Sequence, residues 1–99
     1  MQRVARVEHP EVREIVPSHH CVLRFRQRRP VRERGTEAVA DALIAALESC
    51  DVSGWPPAWA VGDRTTALWA ATGDLAFPLE RTPTPGRYLA TTCLSRPRR

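Results

Sequence analysis

The hydrophobic period of this chain changes once, at Asp51, and that change constrains the fold more than any other feature. Before it, apolar residues recur at helical spacing. Val39, Leu43, Ile44 and Leu47 form one stripe, Glu37, Asp41 and Glu48 are its polar companions, and the intervening alanines favour helix. After it, apolar and polar residues alternate. Thr65 to Thr72 and Leu75 to Glu80 flank Gly73-Asp74, a two-residue turn of the hairpin kind. Arg87 to Leu94 alternates again, with Tyr88, Ala90, Thr92 and Leu94 on one face and Leu89, Thr91 and Cys93 on the other. Helices over residues 19 to 29 and 36 to 49, with strands near 65 to 72, 75 to 80 and 87 to 94, describe an α+β protein. Its two N-terminal helices pack on one face of a small antiparallel meander formed by the C-terminal half. Phe25, Val39, Leu43, Leu47, Leu68 and Leu89 are then expected to be buried together.

Prolines and small polar residues punctuate this pattern. Ile15-Val16-Pro17 is extended, because Pro17 disfavours helix at Val16, and Ser18 is placed to cap the first helix. Pro30 limits how far that helix runs. Thr36 can cap the second. Trp55-Pro56-Pro57-Ala58-Trp59 cannot be a central strand and reads as an extended lead-in that lays a tryptophan over the core edge. Pro78 moves the second hairpin arm toward a sheet edge or a bulge. Residues 1 to 15 form an arm or short edge strand, 16 to 95 the single domain that 99 residues can build, and 96 to 99 a basic tail.

Charge is placed unevenly. Residues 1 to 34 hold nine of the 15 cationic side chains against four glutamates, whereas residues 35 to 99 hold six against seven acids. Every one of these cations is arginine, which removes any mechanism that needs a lysine base. A positive N-terminal third favours an anionic polymer as partner. No apolar run reaches the roughly 18 to 20 residues of a membrane span, so a soluble, cytoplasmic protein without membrane partners is expected. Cys21, Cys50 and Cys93 are odd in number and contain no Cys-x-x-Cys pair, which argues against a disulfide framework and against a metal site. No cofactor motif is present.

The stretch from Ser18 to Arg29 carries the candidate chemistry. As a helix it aligns His20, Arg24 and Arg28 at i, i+4 and i+8 in one drifting stripe, with Cys21, Val22 and Phe25 on the neighbouring face. An imidazole one turn from a permanent cation suits a phosphate, since the guanidinium binds charge and the imidazole moves a proton near neutral pH. A solvated basic helix with an ordinary surface histidine accounts for the same residues. Arg24, Arg26, Arg28, Arg29 and Arg32 are the candidate nucleic-acid contacts, their density exceeding what solubility requires. Trp55, Trp59 and Trp69 can stack on bases or serve as core and rim packing.

The string Ser18-His19-His20-Cys21-Val22-Leu23-Arg24-Phe25-Arg26-Gln27-Arg28 resembles the Ser-x-His-Ala-x-x-Arg-(Phe/Tyr)-x-x-Arg signature of small phage and bacterial proteins of the RelE-like ribonuclease superfamily, which also takes in barnase, EndoU and colicin-type ribonucleases. Cys21 stands where alanine is usual. The segment Ala90-Thr91-Thr92-Cys93-Leu94 is similar to the last strand of such proteins, where a hydroxyl residue completes the site, and Thr92 is the better match. The resemblance implies metal-independent RNA cleavage by attack of the 2′-hydroxyl on the adjacent phosphate. His20 would be the proton carrier, Arg24 and Arg28 the phosphate ligands and Thr92 an orienting group. A clear second acid–base partner is missing. The competing reading is a non-catalytic interaction protein of phage or mobile-element origin, an inhibitor or accessory factor whose basic helix binds DNA or an acidic protein partner, such as an antitoxin or a target.

Overall fold

A computed structural model describes residues 3–28, 35–60 and 66–97. The elements in chain order are β1 (Ala5–Arg6), β2 (Glu14–Pro17), α1 (His19–Arg28), α2 (Thr36–Glu48), β3 (Asp51–Ser53), β4 (Leu68–Thr72), β5 (Leu75–Arg81), β6 (Arg87–Ala90) and β7 (Leu94–Ser95). The protein is α+β, but the expected antiparallel meander confined to the C-terminal half is incorrect. The sheet has seven strands in the order β1-β2-β6-β5-β4-β3, with β7 also paired to β5. It is mixed: β2 runs parallel to β6, with Ile15 opposite Tyr88 and Val16 opposite Leu89. The N-terminal segment is therefore part of the sheet and precedes both helices. Ile15 and Val16 are buried, and two consecutive apolar residues in an internal parallel strand show no alternation by which the sequence could announce them.

The Gly73-Asp74 hairpin forms as its residues demand. Thr72 pairs with Leu75, and Gly73 takes φ +54 while Asp74 keeps a negative φ, the arrangement of a turn with glycine at its first central position. Proline in β5 has a less obvious consequence. β5 is internal rather than at an edge, and Pro78 sits within it opposite Trp69 of β4. On the other side of β5, the backbone N–H of Thr91 donates to the Pro78 carbonyl at 3.1 Å. A residue pair of this kind would normally exchange two hydrogen bonds, and Pro78 has no N–H with which to complete the exchange. The ladder breaks at that point. From Leu79 to Ala76 β5 advances three residues while its partner advances four, from Ala90 to Leu94. Residues 91–93 thus form a one-residue bulge between β6 and β7.

The bulge reverses the alternation of the last strand. Cys93 was expected on the face opposite Tyr88 and Ala90, but all three belong to one buried cluster, as one inserted residue requires. That cluster holds the core: Phe25 of α1, Val39, Leu43 and Leu47 of α2, and Ile15, Leu68, Phe77 and Leu79 of the sheet. Leu89 does not join it and is only half-buried; its strand turns Tyr88 and Ala90 to the helices instead. Gly35, not Thr36, occupies the capping position of α2, with extended φ −64 and ψ 144. An ion pair and a hydrogen bond tie α2 to the start of the chain, since Arg3 pairs with Asp41 and the Arg6 backbone N–H donates to the Glu48 carboxylate at 3.2 Å. Among the described residues, no helix is long and apolar enough to cross a membrane.

Candidate nucleic-acid interface

α1 is fixed at both ends to the bulged strand. At its start the Ser18 hydroxyl accepts a hydrogen bond from the Cys21 N–H at 3.0 Å, capping the first turn. The same hydroxyl donates to the Thr91 carbonyl at 3.0 Å, and the Ser18 N–H donates to the Ala90 carbonyl at 3.0 Å. At its far end, Arg28 Nε donates to the Cys93 carbonyl at 2.9 Å and Nη1 to Ser95 Oγ at 3.3 Å. Of the three carbonyls that hold the helix, those of Thr91 and Cys93 lie in the bulge.

This attachment orients the rest of the helix. Cys21 and Phe25 are buried, and Val22 is half-buried beside them. At about 100° per residue, the His20, Arg24 and Arg28 stripe drifts about 40° at each step toward that buried side. Arg28 is accordingly the one that reaches the strand backbone. Arg24 and His20 are exposed, and Arg24 Nη1 donates to Gln27 at 3.2 Å within the helix. Arg26 is exposed on the opposite flank, with His19 near it. Arg29 and Arg32 lie outside the described residues.

Thr92 is half-buried in the bulge, between Thr91 and Cys93, whose carbonyls both bond to α1 or its cap. No hydrogen bond joins any two of His20, Arg24 and Thr92. One depression, of 160 Å³, is lined by Arg28, Trp59, Ala60, Leu94, Ser95 and Pro97. A second, of 470 Å³, lies between α1, α2 and the hairpin turn, with Phe25, Ala42, Ala46, Thr72 and Leu75 on its walls. Neither includes His20, Arg24 or Thr92.

No family model, no curated protein and no solved structure matches this chain.

The three tryptophans divide cleanly. Trp69 is buried against Pro78 of the neighbouring strand, Trp59 is half-buried beside Arg28, and Trp55 is 83% exposed. Sequence reasoning could not sort them, because the strand that buries Trp69 and the loop that releases Trp55 are distinguished by tertiary pairing. Cys21 and Cys93 are buried and Cys50 is half-buried. Burial pushes Cys21 well above the ordinary thiol range, with Cys93 and Cys50 adding to it, and burial beside Asp51 pushes Cys50 up to about 12. None of the three is in a disulfide. Among the described residues, no group of three or more His, Cys, Asp or Glu side chains is placed to hold a metal ion.

Proposed function

We propose that this protein binds RNA through the outer faces of α1, with Arg24 and Arg26 as the main phosphate contacts and Arg28 at their edge. One observation carries the reading. α1 contains no acidic residue, and among the described residues none of its three arginines pairs with a carboxylate. Outside α1, two of the six described arginines are paired with carboxylates, Arg3 with Asp41 and Arg87 with Glu14 at 3.3 Å. A face serving only solubility interleaves both signs, whereas this one keeps positive charge uncompensated on a rigid support. Three cysteines without a disulfide suit a reducing compartment, so the cytoplasm is the proposed location.

RNA cleavage is the second reading, favoured by an exposed His20 one helical turn from Arg24. Membership of the RelE-like ribonuclease superfamily belongs to this same proposal and rests on His20, Arg24, Arg28 and Thr92. Labelled RNA incubated with the purified protein in EDTA tests both. Binding should weaken steeply between about 50 and 200 mM salt, and Arg24→Ala should lower the salt slope by about one contact. Salt-independent association, or an undiminished slope in the variant, favours an acidic protein partner over RNA. Chain scission in EDTA that His20→Ala abolishes establishes the catalytic reading; intact RNA restricts the function to binding.

A further inference from the structure

The depression beside the C-terminal end of α1 combines a positioned cation with an aromatic wall. Arg28 is oriented by Nε on the Cys93 carbonyl and by Nη1 on Ser95 Oγ, and among the described residues no partner takes the donors on Nη2. Trp59 forms part of the wall, with Leu94 and Pro97 completing its apolar side. The loop that carries Trp59 is stiffened by Pro56 and Pro57, and the Ala60 N–H closes a turn on the Pro57 carbonyl at 2.9 Å. Four residues earlier Trp55 stands almost wholly in solvent, an unusual place for so large an apolar ring. A held guanidinium beside an indole suits a flat, anionic ligand.

We propose that this depression takes one unstacked nucleotide of a single-stranded RNA, its base against Trp59 and its phosphate on the free edge of Arg28. The proposal rests on the reading of α1 as an RNA-binding face and adds the class of RNA. Bases in a duplex are stacked on one another and cannot enter a notch of this size, whereas a single strand can turn a base out onto an aromatic side chain. Arg28 links the two parts of the surface, because it ends the α1 stripe and borders the depression. The strand backbone would run along α1 and deliver a base at its end.

The test compares three fluorescently labelled RNAs at one salt concentration: a ten-nucleotide single strand, the same strand with abasic sites, and its duplex. Wild-type protein should prefer the base-bearing strand over the abasic one by about tenfold, a typical effect of one stacked base, and should bind the duplex less tightly than the single strand. Trp59→Ala should erase that preference without changing affinity for the abasic strand, and Trp59→Phe should retain it. Circular dichroism of each variant checks that it folds, and the wild-type comparison alone decides the matter if Trp59→Ala does not. Equal affinity of the wild-type protein for base-bearing and abasic strands, or a preference that survives in folded Trp59→Ala, overturns the nucleotide site while leaving charge-driven binding by α1 in place. Failure to bind any of the three RNAs overturns the α1 reading, and this proposal with it.

Discussion

The Ser18 hydroxyl donates to the Thr91 carbonyl at 3.0 Å, taking the acceptor that Pro78 has no N–H to serve. One missing donor in β5 thereby becomes an attachment point for α1. In an unbroken ladder the Thr91 carbonyl would be occupied by its cross-strand partner, and the helix cap would have no second bond to make. The proline, the bulge and the cap form a single device that sets where α1 lies on the sheet.

Replacing the cap measures that device. Ser18→Ala removes both the bond accepted from Cys21 and the bond donated to Thr91, and should destabilise the fold by about 1–3 kcal/mol in urea titrations. In a Pro78→Ala background the restored N–H can serve the Thr91 carbonyl, so the same substitution should cost less. A double-mutant cycle should return a coupling of at least about 0.5 kcal/mol between residues 18 and 78; strict additivity would separate the proline from the cap.

Two arginines on one stripe should behave differently. Arg28→Ala leaves the Cys93 carbonyl without its guanidinium donor and should lower stability by about 1–2 kcal/mol. Arg24→Ala, whose partner is Gln27 in the same helix, should change stability by no more than about 0.5 kcal/mol. Thermal denaturation of the two variants side by side checks this. Equal losses would mean that Arg28 is not an anchor.

The thiols make stability depend on alkaline pH. Folding raises the proton affinity of Cys50 from the ordinary value of 9.0 to about 12, and burial acts in the same direction on Cys21. Above about pH 9 the unfolded chain releases these protons while the folded chain keeps them, so the unfolded state gains. Their contribution is fully present below pH 9 and declines as pH rises toward 12. Urea midpoints measured from pH 8 to 11 should fall, and Cys50→Ala should show a shallower fall. Native protein at pH 8 should also resist alkylation.

The helices and the hairpin were legible in the sequence, because Val39, Leu43 and Leu47 carry a period of 3.6 and Gly73-Asp74 admits few turns. β2 was not legible as an internal strand: Ile15 and Val16 are too few to show a period, and their partner, Tyr88 and Leu89, lies more than seventy residues away. The bulge was half legible, since Pro78 announces that something must give, but whether the defect falls on its own strand or its neighbour's depends on the pairing. Misplacing it put Cys93 on the wrong face, whereas Leu89 lies before the bulge and faces away from the core because Tyr88 and Ala90 of its strand face the helices. The basic helix was read from its arginines, whereas the depression at its end was not, because Arg28, Trp59 and Ser95 are brought together only by the loop after β3 and the pairing of β7 with β5.

His20 separates binding from chemistry. It is exposed in the first turn of α1, one turn from Arg24, and no other histidine shares its stripe; His19 lies about 100° around the helix. A proton carrier contributes to the transition state of phosphate transfer and little to ground-state binding, whereas a guanidinium acts on both. His20→Ala should therefore leave RNA affinity within about twofold while abolishing any cleavage in EDTA, a loss of about 10²-fold or more if the imidazole moves the proton. Arg24→Ala should weaken affinity and cleavage together. His19→Ala should leave cleavage nearly unchanged. Single-turnover cleavage and equilibrium binding on the same RNA distinguish these outcomes, and equal losses from His19→Ala and His20→Ala would remove His20 from any catalytic role.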